Sequence, residues 1–144
     1  MSEYPKLLIR NCQSDDMSKI VEIYNASRLP EACFVSAQMT SQKFETLIKE
    51  EKLYLALLGD VITGFISIWP PERFIHHLYI LPESQSQGIA QALIQKCLHL
   101  HGRPLSLKSL DANNRACAFY ENNGWACEDT GLGVDGPYRH YWLR

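Results

Sequence analysis

Two segments of the chain carry residue types at spacings that suit chemistry on a bound anion. The first is Leu81-Pro82-Glu83-Ser84-Gln85-Ser86-Gln87-Gly88-Ile89-Ala90, a turn between a strand-like apolar run and a helix-like one. Small and polar residues at Ser84, Ser86, Gly88 and Ala90 let a ligand come close to the main chain. The first turn of a helix leaves N–H groups unpaired and carries partial positive charge. These features together make an anion site that needs no lysine or arginine, and they suit a pyrophosphate. The glycine spacing fits neither the dinucleotide fingerprint nor the P-loop. By itself, the segment reads equally well as an ordinary strand-to-helix turn.

The second segment is Asn113-Asn114-Arg115-Ala116-Cys117-Ala118-Phe119-Tyr120-Glu121-Asn122-Asn123-Gly124-Trp125. Asn113 stands where a side-chain amide can cap a helix or reach a ligand. Tyr120 falls two helical turns later, near the same face. Alone, this segment is a cap followed by core aromatics. Its presence together with the turn at Gln85 to Ala90 favours a site.

The elements that position these residues follow from hydrophobic period and punctuation. Leu7 to Arg10 predicts a strand. Ser14-Asp15-Asp16 predicts a helix cap, with Ile20, Ile23 and Tyr24 at helical spacing to about Ser27. Leu29 to Val35 is irregular, and Thr40 or Ser41 caps a second helix to about Lys49. Leu53 to Leu58 and Val61 to Trp69 read as a hairpin around Gly59-Asp60, ended by Pro70-Pro71. Phe74 to Leu81 is a strand, Gly88 to His101 a helix and Leu105 to Leu110 a strand. Asn113 to Asn122 is a helix closed by Asn123-Gly124, and Trp125 to Glu128 and Tyr138 to Leu143 are strands. The order is β-α-α-β-β-β-α-β-α-β-β, an α/β chain with a mixed sheet and helices on both faces.

The 144 residues read as one domain, 1–144, long enough to bury roughly two thirds of its unfolded surface without a staple. Net charge is 14 − 16 = −2, which gives no support for nucleic acid or an anionic membrane as main partner. The five cysteines are odd in number and form no CxxC pair, so neither a disulfide framework nor a metal site is indicated. They read as reduced thiols of a cytoplasmic protein. No signal peptide or membrane-spanning run is visible. Exposed edge strands give a route to a homodimer.

The two segments resemble motifs of the GNAT superfamily of acetyl-CoA-dependent N-acetyltransferases. Its central motif, Gln/Arg-x-x-Gly-x-Gly/Ala after an apolar strand and Pro-Glu, corresponds to Leu78-Tyr79-Ile80-Leu81-Pro82-Glu83 and then Gln85-Ser86-Gln87-Gly88-Ile89-Ala90. A later motif, Asn-x-x-Ala-x-x-Phe-Tyr-Glu-x-x-Gly-Phe/Trp, corresponds to Asn113 through Trp125. The resemblance implies a mostly antiparallel sheet of about six to seven strands with one splayed parallel pair. It implies that main-chain amides from Gln85 through Ser86, Gln87, Gly88 and Ile89 to Ala90 hold the coenzyme A pyrophosphate. Tyr79 and Ile80 would pair with the pantetheine arm at a bulge, Asn113 would touch the arm or cap the helix beneath it, and Tyr120 would point at the sulfur. Gln85 and Ser86 stand where the family often has Arg and Gly, so phosphate affinity is expected to be modestly weaker.

The implied reaction is direct attack of an amine on the thioester, with Ile80 N–H as oxyanion donor and Tyr120 as general acid. His76 is the candidate general base. By strand alternation it shares a side with Phe74 and Leu78, while His77 faces the other way. It reads equally as a polar strand residue. No Cys–His pair points to covalent catalysis. The acceptor is an amine, with a small molecule favoured over a peptide. It would enter opposite the coenzyme, near Tyr24 to Val35 and Asp135 to Tyr141, where Glu31 and Asp135 are acids suited to a cation. A catalytically degenerate acyl-CoA-binding module and a dimerising structural protein are the other classes to weigh. The presence of Asn113 and Tyr120 argues for an enzyme.

Overall fold

The computed structural model describes residues 6–28 and 38–144. Strand β1 (Leu7–Asn11) leads through a single 3-10 turn into helix α1 (Met17–Arg28). Helix α2 (Ser41–Leu47) follows, capped by the Thr40 hydroxyl, which accepts from Lys43 N–H at 3.3 Å. The hairpin β2 (Lys52–Leu58) and β3 (Val61–Trp69) and strand β4 (Phe74–Ile80) come next. Helix α3 (Ile89–His101), β5 (Leu105–Leu110), α4 (Asn114–Asn122), β6 (Ala126–Gly133) and β7 (Gly136–Leu143) complete the order. The predicted irregular segment at Leu29 to Val35 lies outside the described residues.

The seven strands form one sheet in the order β1-β2-β3-β4-β5-β7-β6. Only β4 and β5 run parallel; the other five pairings are antiparallel. Strand alternation feeds two cores. Leu53, Leu55, Leu57 and Phe65 meet Ile20, Ile23 and Tyr24 of α1 and Phe44 of α2 on one face. Ile66, Ile68, Leu105 and Leu107 meet Leu93, Ile94 and Cys97 of α3 and Cys117 and Tyr120 of α4 on the other. Each fully buried Ile or Leu contributes about 1.5–3 kcal/mol relative to exposure. The mixed sheet with one parallel pair and helices on both faces agrees with the expected fold.

β4 departs from regularity in its middle. Ser67 pairs with His77 but the next residue, Ile68, pairs with Ile75, so His76 is an extra residue, a β-bulge. The bulge breaks the predicted alternation. Before it, Ile75 faces the α3 core; after it, Leu78 and Ile80 do. The rings of His76 and His77 lie on the same side, stacked with centroids 4.0 Å apart, and not on opposite sides as alternation predicts. The same point marks the end of the parallel pairing. β4 and β5 are joined only at Phe74–Ser106 and Ile75–Leu107, and beyond Ile75 they part. A bulge bends its strand and raises local twist, which turns β4 away from β5.

The last hairpin is longer than its sequence predicts. β6 runs to Gly133 and not to Glu128, because Gly131, Gly133 and Gly136 read as turn residues while their main chain stays in the ladder. Trp125 lies just before the strand and is buried against α4. Among the described residues, no helix is long and apolar enough to cross a membrane.

Candidate active site

The parting of β4 and β5 opens a cleft between the N-terminal ends of α3 and α4. Leu78, Tyr79 and Ile80 line one wall, the turn from Ser84 to Gln91 the end, and Asn113 to Tyr120 the other wall. Of the residues the sequence singles out for the coenzyme, all line the cleft except Gln87, which is exposed outside it.

The turn is a main-chain cradle. Ser86 and Gly88 both take left-handed backbone angles, φ 67° and 77°. The first helical bond runs from Ala92 N–H to the Gly88 carbonyl at 3.0 Å, so the N–H groups of Ile89, Ala90 and Gln91 have no main-chain acceptor among the described residues. Gly88, the N-cap, offers no side-chain acceptor either. Donors converging at a helix start, with the helix dipole behind them, fit a phosphate. The Gln85 side chain turns inward. Its Nε2 donates to the Ile80 carbonyl at 3.2 Å and ties the turn to the strand.

On the opposite wall the Asn113 side chain caps α4, accepting from Ala116 N–H at 3.2 Å. Arg115, the second residue of α4, is exposed on the cleft wall. The turn itself needs no lysine or arginine; Arg115 adds a cation from the opposite wall, and its position in the second motif was the available signal. Tyr120 is 8% exposed, with its ring against Trp125, Tyr141 and Phe119. Its hydroxyl makes no hydrogen bond among the described residues, and the residue lines the cleft. Burial, with a smaller push from Cys117, raises the phenol well above its usual value, so it holds its proton at neutral pH.

The floor is the main chain of β4. Leu81 N–H bonds the Thr63 carbonyl of the β3 side at 2.8 Å. Alternation therefore directs the Ile80 N–H and carbonyl away from β3, toward the cleft. The Ile80 carbonyl is satisfied there by the Ser27 hydroxyl at 2.9 Å and by Gln85. Ser27, at the end of α1, is a cleft residue that no sequence motif announced.

Residues 14–136 match the family model of the acetyltransferase (GNAT) domain. The chain belongs to that family. No curated protein matches it in sequence. Among solved structures, a GCN5-related N-acetyltransferase from Rhodopseudomonas palustris superposes with a TM-score of 0.81 at 18% identity, covering 99% of this chain and 98% of that one. PaiA N-acetyltransferase from Thermoplasma acidophilum, in complex with coenzyme A, gives 0.76 at 16% identity over 94% and 98%. YncA from Salmonella typhimurium, with its cofactor acetyl-CoA, gives 0.73 at 15% identity over 96% and 94%. At these identities the likeness is one of fold.

In this GNAT chain the side of the sheet opposite α3 carries Tyr24, Arg28, His77 and Tyr79. Arg28 donates to the Tyr24 hydroxyl and pairs with Asp135 at 3.2 Å, joining α1 to the β6–β7 turn. Asp135, expected as a contact for a cationic amine, is thus engaged by an arginine; Glu31 lies outside the described residues. His77 is buried among Tyr24, Phe44, Phe65 and Tyr79, with Nδ1 2.8 Å from the Ser67 hydroxyl. Burial, and then the neighbouring charge of His76, hold it well below the usual imidazole value, so it is neutral. His76, the candidate base, is not brought together with Tyr120. It opens on a separate groove lined by Leu47, Glu51, Trp69 and Phe74.

Proposed function

We propose that this GNAT chain transfers the acetyl group of acetyl-CoA to a primary amine by direct attack in a ternary complex. The observation that carries the proposal is one cleft lined by Ile89, Ala90 and Gln91, whose N–H groups are unpaired among the described residues, and by Tyr120. Solved relatives of the same fold bound to coenzyme A or acetyl-CoA support this reading.

The coenzyme supplies an acetyl group activated as a thioester. The Ser86 to Gln91 main chain would receive its diphosphate, with Arg115 adding a positive charge on the far wall. The open edge of β4 would receive the extended arm in the manner of an added strand. Ile80 N–H would donate to the oxygen on which negative charge develops. As the nitrogen–carbon bond forms and the carbon–sulfur bond breaks, the Tyr120 hydroxyl would give its proton to sulfur. A raised phenol pKa does not oppose this, because apolar burial raises the proton affinity of the departing thiolate too. The amine proton would leave to solvent. This mechanism does not require His76 as the base. A small-molecule acceptor is favoured over a protein.

Acetyl-CoA is expected to raise the melting temperature, and a free-thiol release assay over polyamines, amino acids, aminoglycosides and peptides to give turnover with at least one small amine. Coenzyme binding without turnover across the panel would favour an acyl-CoA-binding module. No coenzyme binding at all would remove the proposal.

A further inference from the structure

The acetyl-transfer reading leaves three side chains at the β4 bulge unused. Glu51 sits in the turn between α2 and β2. Its Oε2 is 2.7 Å from His76 Nδ1, and its Oε1 is 3.9 Å from His77 Nδ1. One ligand atom from each residue lies within 4.8 Å of the other two. The Glu51 side chain is only 8% exposed, and its Oε1 has no hydrogen-bond partner although it is buried. A buried carboxylate oxygen left without a donor is unfavourable, because it has lost water and gained nothing in return. This one points at the imidazole pair. Regular alternation would have sent His76 and His77 to opposite faces; the extra residue in β4 delivers both to the same carboxylate.

We propose that Glu51, His76 and His77 bind a divalent cation of the zinc class, with a fourth position open to the groove beside Trp69 and Phe74. Two imidazoles and one carboxylate form a donor set for zinc, cobalt or nickel, whereas magnesium and calcium prefer oxygen alone. Metal–ligand bonds of about 2.0–2.2 Å hold tetrahedral donors roughly 3.3–3.5 Å apart. The 2.7 Å contact has to open by about 0.6–0.8 Å and the 3.9 Å contact to close by about 0.4–0.6 Å. Binding through His77 Nδ1 exchanges its present hydrogen bond to Ser67 for a metal bond. The cation would pin the α2–β2 turn to the bulge and satisfy Glu51 Oε1. The site is independent of coenzyme binding.

The test is a titration of the chelator-treated full chain with zinc by calorimetry and with cobalt by visible absorption. One equivalent is expected, with cobalt bands of a low-coordinate site and a rise in melting temperature on adding zinc. Glu51→Gln and His76→Ala, each checked for native circular dichroism, should lower affinity at least tenfold. His140→Ala and Cys127→Ser, at a half-buried histidine paired with Asp129 and at an exposed thiol, should not change it. Absence of one-to-one binding by the unaltered chain would overturn the proposal whatever the variants do. Binding that survives His76→Ala, or that is lost in His140→Ala or Cys127→Ser, would also overturn it.

Discussion

One bend in β4 produces two regions with opposite chemistry. On the α3 and α4 side, the strand leaves β5 after Ile75 and opens the cleft. On the α2 side, the bulge at His76 gathers two imidazoles on Glu51. The cleft works mainly through fixed main-chain donors, one phenol that keeps its proton and one exposed arginine. Such a site can receive a polyanion in a chain of net charge −2, because the positive potential is local to helix ends. The groove works through titratable side chains held by a register change. Main-chain sites constrain residue size along the sequence, whereas side-chain clusters depend on which strand positions face the same way.

The contrast is sharpened most by removing the phenol. Tyr120→Phe should lower kcat about 100-fold, close to 2.7 kcal/mol, in the free-thiol assay. Its hydroxyl makes no hydrogen bond among the described residues, so coenzyme affinity should stay within about twofold. An unchanged kcat would show that the cleft binds without a proton donor. Next in size is Gly88→Ala. A methyl there meets nothing within 4 Å, so the penalty is purely conformational, at φ 77°. A left-handed non-glycine residue costs about 1–2 kcal/mol, and coenzyme affinity should fall roughly tenfold if the cradle has to relax. Unaltered affinity, measured by calorimetry, would mean that the helix start is not what grips the diphosphate. Arg115→Ala should have a smaller effect, about three- to fivefold weaker binding with a shallower salt dependence and an unchanged melting temperature, since the side chain is exposed. A loss as large as that of Gly88→Ala would move the weight of phosphate binding from main chain to side chain and erase the difference between the two regions.

How far the sequence carried the reader depended on the kind of signal. The order of elements was legible because apolar period and caps such as Thr40, Asn113 and Gly88 are local. Both walls of the cleft were legible for the same reason: Ser86, Gly88 and Asn113 announce helix starts. Ser27 was not, because a serine at the end of a helix has no pattern, and it meets Ile80 only through the packing of α1 on the sheet. The facing of His76 and His77 was misread because alternation assumes an unbroken ladder, and no residue type in Phe74 to Ile80 marks the bulge. The end of β6 was misread because Gly131 and Gly133, which stay in the ladder, look the same as turn glycines. A methyl on Gly131 would meet the Tyr138 ring, which would have to shift.

The smallest expected effect tests the cradle from the other direction. Ser86 has φ 67°, a region that costs a residue with a Cβ about 1–2 kcal/mol and costs glycine almost nothing. Ser86→Gly relieves that cost but adds about 0.5–1 kcal/mol of unfolded-chain entropy. The two terms nearly cancel, and the relief is the larger, so the variant should gain about 0.5 kcal/mol and melt roughly 1–2 °C higher. Coenzyme affinity should not change, because the N–H groups that bind are those of the main chain. Affinity that falls while the melting temperature rises would separate the two roles. It would show that the serine hydroxyl itself contributes to the anion site, and that this turn holds its left-handed serine for binding at the expense of stability.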